Sequence, residues 1–84
     1  MQSAEIYEQL TGIFRDVLND ESLRLTPELT AAEVPQWDSF NHINIVVATE
    51  TQFGIKFKTA ELEQLRNVGQ FVDLIDRKLK AKQR

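Results

Sequence analysis

The chain has no cysteine, so it has no disulfide, no thiolate nucleophile and no cysteine-based metal site. That suits a reducing compartment, and any thiol chemistry must come from a group added to the protein. Its single histidine, His42, cannot hold a metal alone, and no carboxylate cluster with clear ligand spacing surrounds it. No apolar run approaches the roughly 20 residues needed to span a bilayer. The N-terminal residues lack the basic-then-apolar pattern of a signal peptide. A cytoplasmic protein without a membrane span is therefore expected. Internal repeats and low-complexity segments are absent as well. At 84 residues there is room for one domain with a modest core and little spare sequence.

The net charge of -3 is unevenly distributed: residues 1–38 carry eight acids and two bases, residues 39–84 five acids and eight bases. A mildly acidic chain has no strong drive toward nucleic acid, although a basic tail over about residues 80–84 ends it. Cations there complement the dipole of a terminal helix, so no nucleic-acid partner is expected.

Apolar residues recur at helical spacing at Ile6, Leu10, Ile13, Phe14 and Val17, with Ser3 as a cap and Glu5 in the first turn. This first helix should end around Asn19-Asp20. Leu23, Leu25 and Leu29 are then spread around Pro27 too irregularly for a helix, which predicts a long ordered loop pinned to the core by those leucines. Within it, Thr30 and Glu33 have capping-box spacing, and Thr26-Pro27 suits the start of a short turn. A second helix should run from about Ser39 to Phe53 and stop at Gly54. At 100° per residue, Ile45, Val46 and Phe53 share one side of it, while Phe40, Ile43 and Val47 form a separate stripe. Both cannot face one small core. Ile55-Lys56-Phe57-Lys58 reads as an extended connection. Thr59 caps a short third helix presenting Leu62 and Leu65, and Asn67, with Gln70 three residues on, opens the last helix, with Val68, Phe71, Val72, Ile75 and Leu79 on one face. The expected architecture is all-α, a small four-helix bundle with a short third helix and a long first loop.

The chemistry points to Trp37-Asp38-Ser39-Phe40-Asn41-His42-Ile43, where loop becomes helix after Pro35. Asp38 and Ser39 are both good caps, and a helix start favours an anion such as a phosphate ester on Ser39. By itself this pair reads as an ordinary cap, with Trp37 as packing over the loop. His42, three residues after Ser39, invites a Ser-His hydrolase. A hydrolase also needs a group to orient the imidazole and an oxyanion hole, and no strand-turn-helix nucleophile elbow is present. No catalytic residue is assigned.

The Asp38-Ser39-Phe40 pattern, the chain length, the helix order and the spacing of Phe53, Phe57, Leu62, Leu65 and Val68 resemble the acyl carrier protein family. That resemblance implies a non-catalytic carrier, with 4'-phosphopantetheine attached covalently to Ser39 from coenzyme A by a phosphopantetheinyl transferase. The arm's terminal thiol would bear an acyl group as a thioester. Asp38, the motif acid and helix cap, would help the transferase dock, and Phe40, Ile43, Val47 and Glu50 would meet partners. Those partners would be the transferase and the acyl-loading and acyl-accepting enzymes of fatty-acid, polyketide or related metabolism, and the carrier itself is expected to be a monomer. The chain departs from the usual acidic second helix: Asn41, Asn44 and Thr51 stand where acids are usual, and Glu50 is the helix's one acid. Thr49 stands where a large apolar residue is common. A helical interaction module without a prosthetic group is the alternative from another class, and the Phe40, Ile43, Val47 stripe is what favours it.

Overall fold

The computed structural model describes residues 3–82. Four α-helices form in the order α1 (Ser3–Leu18), α2 (Ser39–Phe53), α3 (Thr59–Glu63) and α4 (Val68–Lys82), and α1 packs against both α2 and α4. Ser3 is already helical, so the cap position lies outside the described residues. Spacings of three and four residues place Ile6, Leu10, Phe14 and Leu18 on one buried stripe of α1 and Val68, Phe71, Val72, Ile75 and Leu79 on that of α4. These residues form the core with Ile45, Phe53 and Ile55.

The first two helices end by the same device. Asn19 turns into the left-handed region (φ 54°), and the next N–H, of Asp20, donates to the Arg15 carbonyl at 3.1 Å. At the end of α2, Gly54 does the same (φ 66°), and Ile55 N–H reaches the Glu50 carbonyl at 3.1 Å. Asparagine and glycine tolerate that conformation, and the bonds satisfy carbonyls left over at a helix end.

The long first loop is held by polar contacts as well as by leucines. Leu23, Leu25 and Leu29 pack against the core, and Val34 and Trp37 are buried within it. Arg15 Nε donates to the Leu23 carbonyl at 2.8 Å, folding the loop back over the end of α1. The carbonyls of Leu29 and Pro27 accept the N–H groups of Val68 and Gly69, each at 2.9 Å. Asn67 Oδ1 takes the Gln70 N–H at 2.9 Å, so loop backbone and one asparagine together satisfy the first-turn donors of α4. A side chain at position 69 would bring its Cβ within 3.0 Å of the Pro27 carbonyl, so glycine permits the close approach.

Two local expectations change. Thr30 flanks a single 3-10 turn, Ala31–Glu33, without a side-chain cap bond, so no capping box forms. The cap position of α3 is Lys58 rather than Thr59, because Glu61 Oε1 accepts the Lys58 N–H at 2.8 Å. The described part of the basic tail is the last turn of α4, where Lys80 pairs with Asp76 at 3.0 Å; residues 83 and 84 lie outside the described residues. Glu61 also ties α3 to α4 through Lys78 at 2.7 Å, and the Lys78 hydrogen bond is the main cause holding its carboxyl below the usual range.

Candidate functional site

Asp38 stands in extended backbone just before α2, and its Oδ1 accepts the Asn41 N–H at 2.8 Å. Asp38 therefore supplies the cap and Ser39 does not. Asn41 Nδ2 donates in turn to the Gln36 carbonyl at 2.7 Å, fastening the incoming loop to the helix. Trp37, buried, packs edge-on against Phe14 with ring centroids 4.9 Å apart, and its backbone N–H donates to the Val34 carbonyl at 2.9 Å. The first turn of α2 is thus anchored from both sides. On this anchored turn Ser39 is exposed, and its Oγ has no hydrogen-bond partner among the described residues.

His42 does not serve Ser39. Its Nδ1 accepts from Trp37 Nε1 at 3.0 Å, and the two rings stack at 6.0 Å with 27° between planes. An indole N–H only donates, so Nδ1 is bare and occupied, and the proton of a neutral ring sits on Nε2. Neither nitrogen is then placed to take a proton from the serine, which removes the base a Ser-His hydrolase requires. Burial pushes the His42 pKa down from its ordinary 6.5. Because the folded pKa lies below the unfolded one, the neutral ring's contribution to stability is present above about pH 6.5 and is lost as pH falls through the lowered value.

A cleft of about 810 Å³ opens beside Ser39, between Trp37, His42 and Ile43 on one side and Leu65, Arg66 and Phe71 on the other. The far wall comes from the segment after α3 and from α4. Leu65 and Phe71 were legible as apolar periodic positions, while nothing local to Arg66 signals that it lines the cleft.

The apolar stripe of α2 faces outward: Phe40, Ile43 and Val47 are 73%, 62% and 55% exposed, whereas Ile45, Val46 and Phe53 are buried. Glu50 is half-buried, and its Oε2 accepts the Phe57 N–H at 2.8 Å, so one carboxylate oxygen holds the link to α3. Thr49 is wholly buried, with its hydroxyl donating to the Ile45 carbonyl at 2.7 Å. Among the described residues no group of three or more potential ligands could hold a metal ion, and no helix is long and apolar enough to cross a membrane.

No protein-family model matches the chain. Individual relatives do. It is 31% identical over 81 residues to the acyl carrier protein of Thermosynechococcus vestitus, covering 96% of this chain and all of that one. It is 35% identical over 74 residues to the meromycolate extension acyl carrier protein of Mycobacterium leprae, covering 88% of this chain and 58% of that one. The solution structure of a holo acyl carrier protein from Geobacter metallireducens superposes with a TM-score of 0.86 at 45% identity, over 90% of this chain and 87% of that one. With the four-helix order and the Thermosynechococcus relative matched over its full length, the chain belongs to the acyl carrier protein family, whose members are non-catalytic carriers of acyl groups.

Proposed function

We propose that Ser39 carries a 4'-phosphopantetheine arm and that the protein presents an acyl group on it to successive enzymes. The observation that supports this most is the exposed, unpartnered Ser39 hydroxyl on an anchored helix start whose cap is Asp38. Of the other described serines, Ser22 Oγ donates to Asp20 Oδ1 at 2.8 Å, and Ser3, likewise exposed at a helix start, is not preceded by an aspartate. The surroundings fit a phosphate ester. The first N–H groups of α2 lack intrahelical partners and the helix dipole favours an anion there. The arm supplies the terminal thiol, a group that a chain without cysteine lacks. The protein supplies position. A phosphopantetheinyl transferase must activate the hydroxyl and deliver the arm from coenzyme A, since no base among the described residues touches Ser39. The same reading places a monomeric, single-domain carrier in the cytoplasm. Incubation with coenzyme A, magnesium and a broad-range transferase should add the mass of one arm per chain.

The exposed stripe, which favours a bare interaction module when taken alone, serves in a carrier as the docking face for the transferase and the acyl-loading and acyl-accepting enzymes. Ile43→Ala should change stability by no more than about 0.5 kcal/mol, as expected for an exposed site, while kcat/KM for loading falls. Denaturant unfolding and loading kinetics on that variant check both halves. A loss of about 2 to 5 kcal/mol would instead assign Ile43 to the core.

With so few acids on α2, docking should depend weakly on salt, because exposed ion pairs contribute only about 0 to 1 kcal/mol each and mainly tune association rate. Asn44 is exposed and makes no side-chain bond among the described residues, unlike Asn41, so Asn44→Glu adds a charge without disturbing the helix start. This variant should be modified faster than wild type by a transferase that prefers acidic carriers, with a steeper salt dependence. A wild-type rate that already collapses at moderate salt would contradict the apolar docking face.

A further inference from the structure

The Trp37–His42 pair fixes more than packing. With Nδ1 held by the indole N–H at 3.0 Å, the neutral imidazole must carry its proton on Nε2. A ring flip would break that bond, and the ring's plane is set by the 27° stacking on Trp37, which is itself held by Phe14. The Nε2–H has no partner among the described residues, and the ring lines the same cleft as Ser39. Residues three apart on a helix are neighbours, so this donor lies one turn from the serine oxygen. The result is a single N–H, fixed in tautomer and orientation, beside the place where a phosphate would be attached.

We propose that His42 is a positioning residue for the prosthetic arm, its Nε2–H donating to a phosphodiester oxygen on Ser39. This rests on the reading of Ser39 as the attachment site. The phosphodiester is favoured over the more distant amides of the arm because it is bonded to the Ser39 oxygen itself and carries the charge. The other charged groups facing the ring across the cleft are Asp38 from the start of α2 and Glu63 and Arg66 from α3 and the segment after it. Asp38 has Oδ1 committed to the Asn41 N–H, and Arg66 adds a cation on the far wall. Holding the diester in place would restrict the root of the arm and set the direction in which it leaves α2.

An anion that accepts from Nε2–H favours the protonated ring, so modification should raise the His42 midpoint. The chain has one histidine and one tryptophan, so imidazole NMR and Trp37 fluorescence each report on one residue. The expected result is an upward shift of about one pH unit between the unmodified and modified chains. The 31P resonance of the modified chain should titrate with the same midpoint, because a phosphodiester has no ionisation of its own in that range. In His42→Gln, which keeps an N–H donor but cannot titrate, that 31P titration should vanish while the arm is still attached. A chain modified on Ser39 whose His42 midpoint and 31P shift do not move would overturn this proposal alone. No modification on Ser39 would overturn it together with the reading beneath it.

Discussion

Phe14→Ala should destabilise the protein by about 3 to 5 kcal/mol, the usual cost of removing a fully buried aromatic ring. Phe14 is completely buried in the C-terminal half of α1, and its ring meets Trp37 edge-on at 4.9 Å. Truncation therefore removes dispersion contacts and opens a cavity beneath the segment that carries Asp38 and Ser39. Domains of this size sit toward the lower end of the usual range of about 5 to 15 kcal/mol, so the loss takes a large share of the total. Urea unfolding followed by Trp37 fluorescence reads the global transition and the site together, since this is the only tryptophan. The midpoint should fall with little change in slope, and the native emission should shift as the indole gains solvent. A change below about 0.5 kcal/mol, the size expected of a surface position, would mean that the α1–loop packing does not hold the site.

Ser39→Ala should behave in the opposite way, with stability almost unchanged and arm attachment abolished. Ser39 is exposed and its hydroxyl makes no bond among the described residues, so its removal leaves the fold within about 0.5 kcal/mol of wild type. The helix cap resides on Asp38, whose Oδ1 accepts the Asn41 N–H. Asp38→Ala should accordingly cost about 0.5 to 2 kcal/mol and is the more destabilising of the two changes. Intact-mass measurement after the transferase reaction, paired with unfolding curves, separates the roles. A Ser39→Ala chain that still gains the arm would contradict the assignment. A strongly destabilised one would show that the serine, not the aspartate, fixes the helix start.

Much of this was legible in the sequence because the signals are local. The helical spacing of Ile6, Leu10 and Phe14, the aspartate before Ser39 and the glycine after Phe53 locate α1 and α2 without reference to the rest of the chain. That α2 carries two apolar stripes followed from helical geometry, since Phe40, Ile43 and Val47 cannot share a core with Ile45 and Phe53; that the first stripe faces outward rather than packing under the long loop is set by the tertiary packing. Long-range backbone contacts left no such trace. The carbonyls of Pro27 and Leu29 cap α4 whatever their side chains are, and the one hint is that position 69 lacks a Cβ. Spacing misled at Thr30, because a single 3-10 turn has no room for a capping box, and at Thr59, because the Glu61 carboxylate reaches one residue further back. His42 was ambiguous for the same reason: a three-residue offset from Ser39 suggests an encounter, but the preceding loop brings Trp37 over the ring and occupies its nitrogen first. The far wall of the cleft, with Arg66, depends on how α3 and α4 settle against α2, which no local pattern encodes.

The central claim is that one serine, at the start of α2, bears the prosthetic group. Fragment mass mapping of the wild-type protein after reaction with coenzyme A, magnesium and a broad-range transferase tests it most directly, because the chain has three serines, Ser3, Ser22 and Ser39. The account predicts the mass of a single phosphopantetheine on the fragment containing Ser39 and none on the other two; the arm on Ser3 or Ser22, or no arm from several transferases, would contradict it.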